Sequence, residues 1–581
     1  MAASSDQRRR RLGFSRRAKA APQRSPSVCQ LGFETLEDRA LLSVSLSLNG
    51  PQTIVPGATL NVSTDALIAQ SEMSLVINPT NPLNVVGFSH RLETPTITVE
   101  LYVSVDGGLN FLVSEIDTAN DGLGAVGSRF DPALQFDANG VLYIAYGYRG
   151  QATAPLRNTL LVVARSNDGG VNFSNYIAVD QQADILTAST TDTDTPGLDK
   201  WYIATGLDPL SGNQAVYLAY VAFVTEGAGM SAGTDAHISV IGSRDGGTNW
   251  TPRLVINDDS AVANFDSASY ASPIVDSLGR LAVSWGDTDD TSIMIDRDMD
   301  GLWSNAETFG NDVTVRTGVD VARGAVLPPS QPERGINAAP MLEVWRAVNW
   351  LYIPVVEKYQ GSNTDLDIWV GVSSDFGANW TFNRIDDSGG TEFNPWLQVD
   401  QTTGAVNVLY YTTDGDVGTG NDDVRPRLAM SNDGGATWTR TFLSTQTSNE
   451  GPAVPNNGDY DGDYLEYIGL GVRDGTAHGL WASRYMAGGT DLDAFTANAA
   501  FVSSTGDNRL FIGERGGVDD SFLIQQSPAN PAFLEVWVDG VREFTGLSAT
   551  LDHIIFNPGG GINTFNIGSL TGISSVTING T

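Results

Sequence analysis

The sequence is poor in lysine, in cysteine and in helical periodicity. Its 581 residues include three lysines, Lys19, Lys200 and Lys358, and a single cysteine, Cys29. Because Cys29 lies close to the N-terminus, the remaining chain has no cysteine with which to form a disulfide. No stretch keeps helical periodicity over three turns, and Gly, Asp, Thr, Ser and Val are abundant, which favours an all-β fold.

Positive charge is scarce outside the N-terminus. The formal net charge is -35, although a basic cluster stands at the start of the chain, at Arg8–Arg11, Arg16, Arg17, Lys19 and Arg24. An acidic body repels nucleic acid and anionic membranes, so we expect neither as a partner. A short basic segment ahead of an apolar one is typical of a targeting region rather than of a nucleic-acid-binding arm.

The apolar segment that follows is too short and too charged to cross a membrane. Residues 31 to 48, LGFETLEDRALLSVSLSL, contain four charged side chains, whereas a spanning helix needs about 18 or more apolar residues in a row. The run Phe33 to Ser43 resembles the N-terminal LEPR-XLL segment of large surface and secreted proteins of planctomycete bacteria, with Asp38 in place of the proline. The resemblance implies export to the cell surface or the extracellular space, with residues 1–43 as the leader. An exported fold without disulfides needs a large core, closed strand pairing or bound metal for its stability.

One eight-residue pattern occurs five times. The copies are SVDGGLNF at Ser104, SNDGGVNF at Ser166, SRDGGTNW at Ser243, SSDFGANW at Ser373 and SNDGGATW at Ser431. Ser and Asp side chains hydrogen-bond turn backbone, Gly adopts positive φ, and the aromatic ring packs on the sheet, so the pattern predicts a tight hairpin. It resembles the Asp-box, or BNR repeat, of the sialidase superfamily and other β-propellers. The resemblance implies a propeller over roughly residues 70 to 500, with the boxes on outer hairpins away from the ligand face.

Pairs of apolar strands around a polar turn recur at the spacing of propeller blades. They begin near residues 72, 132, 201, 270, 340, 395 and 464, at intervals of 55 to 70 residues, close to the length of one four-stranded blade. Seven pairs predict seven blades, and six blades are the alternative if the last pair completes the first blade. The seventh pair has no box and lacks an outer strand, so residues 44–64 are the candidate donor of that strand.

The pattern changes after about residue 505. Short β runs separated by Gly-rich turns follow, as in FLEVWVDGVREF and HIIFNPGGGINTFNIG, and no box occurs among them. We assign residues 44–504 to the propeller and residues 505–581 to a small C-terminal β domain. This domain resembles either the start of a β-solenoid or a small sandwich.

The resemblance to sialidases also implies candidate catalytic residues. Sialidases bind the carboxylate of sialic acid with three arginines, and they use a tyrosine nucleophile activated by a glutamate, with an aspartate as acid/base. Loops of the expected ligand face supply these residue types: Arg91, Arg149 and Arg484, Glu357 with Tyr411 (or Tyr410 or Tyr485) as the nucleophilic pair, and Asp287 as acid/base. The F-R-I-P segment of typical sialidases is absent. The competing interpretation is that these are surface side chains that pair with one another.

Two acidic clusters have the alternating carboxylates of calcium loops. The stretch IDRDMDGLWSNAE carries Asp296, Asp298, Asp300 and Glu307 in D-x-D-x-D-G-x5-E spacing. It stands where the fourth blade lacks its Asp-box, so calcium at this place would be structural. The stretch NNGDYDGDYLEY carries Asp459, Asp461 and Asp463 but has no glutamate at position 12. The alternative for both clusters is an ordinary acidic hairpin.

Together these patterns predict an exported cell-surface propeller. The leading hypothesis is a module, stabilised by calcium, that binds a glycan or a surface protein and carries no organic cofactor. The alternative is a glycoside hydrolase of exo-α-sialidase type that uses the residues named above. We expect a monomer.

Overall fold

The computed structural model describes most of the chain after residue 43. The described ranges are 44–63, 68–92, 97–116, 121–123, 127–150, 158–184, 196–226, 233–257, 268–287, 291–302, 309–319, 326–332, 334–336, 340–385, 389–416, 420–449, 463–485, 492–513, 519–558 and 561–579. They form strands and two short 3-10 helices, Tyr359–Gly361 and Ser548–Thr550. Within these ranges no helix has the length and the apolar character that a membrane crossing requires.

Most strands belong to four-stranded antiparallel sheets, which we call blades and number along the chain. Ahead of them lie β1 (Val44–Ser47), β2 (Gln52–Pro56) and β3 (Leu60–Asn61). Blade 1 contains β4 (Ala69–Ile77), β5 (Val85–Leu92), β6 (Ile97–Ser104) and β7 (Leu112–Glu115). Blade 2 contains β8 (Gly127–Phe136), β9 (Leu142–Gly150), β10 (Asn158–Ser166) and β11 (Ser174–Ala183). Blade 3 contains β12 (Leu198–Leu207), β13 (Gln214–Glu226), β14 (Gly233–Ser243) and β15 (Leu254–Val255).

The remaining blades repeat this order. Blade 4 contains β16 (Ala268–Val275), β17 (Leu281–Asp287), β18 (Ser292–Asp298) and β19 (Val313–Thr317). Blade 5 contains β20 (Glu343–Trp345), β21 (Trp350–Lys358), β22 (Leu366–Ser373) and β23 (Thr381–Arg384). Blade 6 contains β24 (Glu392–Val399), β25 (Val406–Thr412), β26 (Arg425–Ser431) and β27 (Thr439–Phe442). Blade 7 contains β28 (Gly469–Arg473), β29 (Thr476–Ser483) and β30 (Asp493–Ser503), joined by β2 and β3.

The blades form a closed ring around a central channel. Their first strands contact one another in the order β4, β8, β12, β16, β20, β24, β28 and back to β4. Apolar side chains of neighbouring blades pack face to face, which buries the core between the sheets. The prediction of an all-β propeller is confirmed. We call the face with the connections from second to third strands the upper face, and the opposite one the lower face.

The N-terminal segment closes the ring and also reaches the C-terminal sheets. Strand β2 pairs antiparallel with β30 as the fourth strand of blade 7, from Gln52 opposite Ser503 to Pro56 opposite Ala499. This is the donor strand that the sequence predicted. Strand β1 pairs instead with β31 (Arg509–Ile512), so residues 44–47 belong to the C-terminal sheets and not to the propeller, to which we assigned them.

Two sheets make up the C-terminal part. Their further strands are β32 (Ser521–Gln526), β33 (Phe533–Val538), β34 (Val541–Leu547), β35 (His553–Phe556), β36 (Thr564–Ile567) and β37 (Ser575–Ile578). Strand β31 pairs in parallel with β35, and β35 with β37, while β32 pairs in parallel with β36. Successive chain segments thus stack as in the coils of a β-solenoid, with β33 and β34 as an inserted hairpin. Between the sheets Leu510, Phe522, Ile554 and Phe556 form a separate core.

The Asp-box pattern produces the predicted turn. In blade 3 the Ser243 hydroxyl donates to Asp245 and accepts the Gly247 N–H, both at 2.9 Å, and Asp245 accepts the Asn249 N–H at 2.9 Å. Gly246 and Gly247 have φ of 72° and 81°. Equivalent bonds occur at Ser104, Ser166, Ser373 and Ser431, always on the lower face between third and fourth strands. The boxes are therefore fold residues.

Candidate functional site

The inner strands carry a repeated irregularity near the upper face. In five blades a β-bulge interrupts the pairing of the first and second strands, and the same position of each bulge has positive φ. These positions are Glu72, Asp131, Lys200, Tyr270 and Asn394, with φ of 49° to 59°. A non-glycine residue in this conformation costs of order 1–3 kcal/mol, and bulges redirect side chains. Here the redirected side chains meet at the mouth of the channel.

An ionic cluster fills this mouth. The Lys200 ammonium lies 2.6 Å from Glu466 Oε2, 3.4 Å from Asp131 Oδ2 and 3.7 Å from Glu72 Oε1. The Arg334 guanidinium lies 3.6 Å from Glu72 and 3.3 Å from Glu466. The carboxylates are buried, while the side chains of Lys200 and Arg334 are 12% and 13% exposed. The cations are thus the most accessible members of the cluster.

Shared cations set the protonation of the carboxyl groups. Burial would raise the pKa of Glu466, but Lys200 and Arg334 lower it to about 2. The pKa of Asp131 behaves in the same way. Burial would raise it, but the charge of Lys200 outweighs burial and lowers it below the ordinary range. Burial, together with the charges of Asp131 and Glu466, raises the pKa of Glu72 well above its ordinary value. One ammonium therefore contacts carboxyl groups whose pKa values are shifted in opposite directions.

His90 is neutral and has a defined tautomer. Burial lowers its pKa to about 4. Its Nε2 accepts the backbone N–H of Asp131, so the ring hydrogen of the neutral imidazole lies on Nδ1. Nδ1 stands 3.4 Å from Glu72 Oε2. His90 therefore connects the bulges of blades 1 and 2.

Glu72, His90 and Asp131 have ligand atoms within 4.8 Å of one another, but they do not fit a metal ion. The acceptor nitrogen of His90 is already used by Asp131, and Nδ1 carries the hydrogen. Lys200 and Arg334 already supply positive charge to Glu72. A divalent cation would be repelled by both.

Three aromatic rings form the floor beneath the cluster. The centroids of Tyr202, Trp396 and Tyr467 lie 6.1 to 6.2 Å apart in each pair. The Lys200 ammonium stands 5.8 Å from the Tyr467 centroid, within range of a cation–π contact. The floor separates the cluster from the lower channel, which the inner strands line.

Two buried polar atoms beside the cluster make no hydrogen bond with any described residue. They are the Tyr202 hydroxyl of blade 3 and Asn394 Oδ1 of blade 6. His90 Nδ1 and Glu72 Oε2 lie 3.4 Å apart and face each other. Buried polar groups almost always find a partner, so Tyr202 and Asn394 are the side chains here that can take a hydrogen bond from a bound molecule.

The predicted catalytic residues occupy separate places around the ring. Arg91 pairs with Glu115 of its own blade at 2.9 Å, and Arg149 pairs with Asp184 at 2.7 Å. Glu357 takes a bidentate pair from Arg316 at 2.5 and 2.8 Å. Their catalytic roles stay predictions.

The other three predicted residues lie at strand ends or between blades. Asp287 ends β17, and the backbone N–H of Arg484 donates to Ser448 at 2.8 Å. Tyr411 is fully buried between blades 6 and 7, and its hydroxyl donates to the Ala482 carbonyl at 2.9 Å. Their catalytic roles also stay predictions.

The predicted calcium-binding residues also lie at separate places in the structure. Asp296 and Asp298 are fully buried and Asp300 is exposed, at the outer hairpin of blade 4. Asp298 Oδ1 accepts the N–H groups of Asp300 at 3.0 Å and Gly301 at 2.8 Å, while Oδ2 makes no hydrogen bond with described residues. Asp463 accepts the Arg334 N–H beside the ionic cluster. Glu307, Asp459 and Asp461 lie outside the described residues.

Sequence reasoning missed the bulge residues because it looked for chemistry in the loops. Loops of the upper face do carry charged residues, but Glu72, Asp131 and Lys200 lie inside the inner strands. A signal was present: Lys200 is one of three lysines and stands in the apolar run LDKWYIATGL. A buried lysine requires carboxylate partners.

No family model and no curated protein matches the sequence. Similar solved structures include a protein of unknown function from Dyadobacter fermentans, 11% identical with a TM-score of 0.42, over 77% of this chain and 99% of that one. The phage phi92 endosialidase is 12% identical with a TM-score of 0.41, over 76% of this chain and 69% of that one. The Trypanosoma rangeli sialidase is 13% identical with a TM-score of 0.35, over 78% of this chain and 59% of that one. The likeness concerns the fold alone.

Proposed function

We propose that this protein is an exported cell-surface propeller that binds a glycan at the channel mouth. The observation that carries the proposal is a pair of buried polar atoms that make no hydrogen bond with described residues, the Tyr202 hydroxyl and Asn394 Oδ1, beside the accessible cations Lys200 and Arg334. The pair combines an acceptor, Asn394 Oδ1, with a hydroxyl that can donate, that of Tyr202. Sugar hydroxyls both donate and accept, so a polyhydroxylated ligand satisfies such a set better than a simple ion does.

The surroundings support a saccharide as the ligand. Lys200 and Arg334 are the accessible charges, and charged groups form the stronger hydrogen bonds to hydroxyls. The buried rings of Tyr202, Trp396 and Tyr467 form the apolar base on which these charges rest. Polar groups fixed over an apolar base are the usual composition of a small-molecule site. The pairing of Arg91, Arg149 and Glu357 with separate partners favours binding over a sialidase reaction.

We expect Tyr202→Phe to weaken glycan binding by about tenfold, the value of one hydrogen bond to a ligand. The substitution removes one hydroxyl that has no partner in the described protein, so folding is preserved. Glycans retained on an array are titrated calorimetrically against wild type and variant. The matched control is Tyr352→Phe, since the Tyr352 hydroxyl is also buried without a hydrogen bond to any described residue but lies on β21 of blade 5, away from the cluster.

Three outcomes contradict this proposal. They are an array without any retained glycan, equal affinity of wild type and Tyr202→Phe, and an equal loss in the Tyr352→Phe control. If mass spectrometry detects cleaved glycan in the titration cell, hydrolysis replaces binding as the proposed function.

We propose further that calcium stabilises blade 4 at Asp296 and Asp298. Two carboxylates are buried there, and Asp298 Oδ2 makes no hydrogen bond with described residues. Burial, together with the neighbouring Asp300, raises the pKa of Asp298 to about 7. A hard cation with oxygen ligands would compensate these charges.

Calcium at a hundred times its Kd should raise the free energy of unfolding by about 2.7 kcal/mol. Melting temperatures are compared in calcium and in EDTA for wild type, Asp298→Asn and Asp375→Asn. Asp298→Asn keeps the acceptor for the Asp300 and Gly301 N–H groups but loses the charge, so it should lose the shift. The control Asp375→Asn alters an ordinary box and should retain it. No shift in wild type, or a full shift in Asp298→Asn, excludes the metal.

A further inference from the structure

The C-terminal sheets end in two strands that pair on one side only. Among the described residues, β36 pairs with β32 and β37 pairs with β35, and neither has a second neighbour. The N–H group of Asn579, just after β37, donates to the Phe556 carbonyl of β35 at 2.9 Å. Because backbone groups alternate in direction along a strand, those of Val576 and Ile578 point to the open side. The open side therefore offers donors and acceptors to another strand.

The apolar core between the two C-terminal sheets also reaches the surface at this end. Phe565 of β36 stacks on Phe522 inside the core, with ring centroids 4.8 Å apart, and Val576 of β37 packs against the same core. Side chains two positions apart on a strand point the same way, so Ile567 and Ile578 also point inward. Yet these two side chains are 41% and 42% exposed. The core is open at this end because no described strand covers it.

The outer strands of the blades, in contrast, carry side chains that keep strand edges from pairing with other chains. A charged side chain or a proline on an edge strand has this effect. Six blades have a charge in the outer strand or just before it, and the outer strand of blade 7 ends at a proline: Glu115, Asp180, Arg253, Arg316, Arg384, Arg440 and Pro56. Strands β36 and β37 contain neither charge nor proline, so they have no such protection.

The end of the C-terminal sheets is also electrically neutral. Residues 554–581 contain no charged side chain, although charged residues make up 17% of the sequence and the net charge is -35. Two copies of so acidic a molecule repel each other over most of their surfaces. This repulsion is weakest at the neutral end, whereas a basic partner would bind the acidic body instead. The charge distribution therefore favours a second copy as the occupant of the open end.

From these observations we infer that the open end of the C-terminal sheets binds a second copy of this chain. Strand β37 pairs antiparallel with β37 of the second copy, and β36 pairs with its own counterpart, so that one twofold axis relates the two ends. The backbone groups of Val576 and Ile578 gain partners, and Ile567 and Ile578 of both copies close one shared core. This inference revises the expectation of a monomer and does not depend on the proposed glycan binding.

Thr577 is the position at which the edge can be changed while the fold is preserved. Its side chain is exposed and lies on the opposite side of β37 from Val576. Thr577→Lys and Thr577→Glu should each abolish dimer formation, because two like charges meet near the twofold axis. An equal mixture of the two variants should dimerise again, since the charges are then opposite. This rescue occurs only if the occupant is a second copy.

Sedimentation velocity of the full chain measures these effects at about 1 to 300 µM, since interfaces below about 1,200 Å2 are weak. In the wild type the dimer fraction should rise with concentration. The matched control is Val541→Lys, because Val541 is 52% exposed on β34, an edge strand that already carries Arg542 and Glu543. This control should dimerise as the wild type does.

Four results overturn the inference. They are a wild type that stays monomeric at every concentration, single Thr577 variants that dimerise as the wild type does, a mixture of the two that stays monomeric, and a monomeric Val541→Lys control. Growth into ever larger assemblies in place of a dimer also overturns it, because twofold pairing closes after two copies.

Discussion

Lys200→Met is expected to destabilise the protein by about 3–5 kcal/mol at neutral pH, the cost of removing one partner from a buried ionic group. The reason is that Lys200 is shared by three buried carboxyl groups, those of Glu72, Asp131 and Glu466. Methionine has a similar length but no charge. Urea unfolding of wild type and variant at pH 7 measures the difference.

The pH dependence of this loss has a defined sign. In the wild type the lowered pKa values of Asp131 and Glu466 contribute stability that is present above about pH 4, the unfolded value, and that is lost as the pH falls towards 2. Without Lys200, burial raises the folded pKa values above the unfolded ones. The variant then gains stability as the pH falls from 7, so the difference between the two proteins should shrink at about pH 4.5.

Lys358→Met is the matched control for Lys200→Met. Lys358 is the other lysine among the described residues and lies at the end of β21 in an open pocket. We expect its replacement to change stability by less than about 1 kcal/mol, as for an exposed pair. An equal loss in the two variants, or a Lys200→Met loss that does not depend on pH, contradicts the buried network.

Asn508→Leu should cost about 4 kcal/mol, because it removes a side chain that ties three parts of the chain together. Asn508 is fully buried. Its Nδ2 donates to Phe501 O, Thr550 O and Gln52 Oε1, and its Oδ1 accepts from the Asn49 N–H and Gln52 Nε2, at 2.9 to 3.1 Å. Leucine fills the space but leaves several buried groups unpaired, at about 1–3 kcal/mol each.

The experiment on Asn508 uses urea unfolding with Asn566→Leu as control, since Asn566 is exposed on β36. Limited proteolysis adds a second readout: blade 7 and the C-terminal sheets should lose protection together. A loss below about 1 kcal/mol, or proteolysis that is confined to the C-terminal sheets, contradicts a joint role of Asn508.

Local chemistry explains why part of the fold was predictable. The hairpin at Ser243 is determined by residues within a few positions, because the hydroxyl, Asp245 and two glycines satisfy the turn by themselves. The blade pattern follows from strands that are adjacent in sequence. The donor strand was predicted because a ring with an open edge requires one.

Long-range pairing explains why the candidate site was not predictable. The ionic cluster joins Glu72, Asp131, Lys200, Arg334 and Glu466, which are separated by 59 or more residues, and its contacts depend on bulges that no local motif announces. Because aspartates are common in an acidic sequence, nothing in the sequence distinguishes Asp131 as a member of the cluster. The pairing of the N-terminal strand β1 with β31 was missed for the same reason, because β31 lies near the other end of the chain.

The closure of the ring has a consequence for synthesis. Gln52 bonds with Asn508, which is 456 residues later in the chain. At about 5–20 residues per second, the N-terminal strand waits for roughly 20–90 s before its partner has been made. During that time blade 7 cannot close, and the first strands present an unpaired edge to other chains. Correct closure of the ring therefore competes in time with pairing to other chains, and a factor that keeps the N-terminal strand covered would favour correct closure.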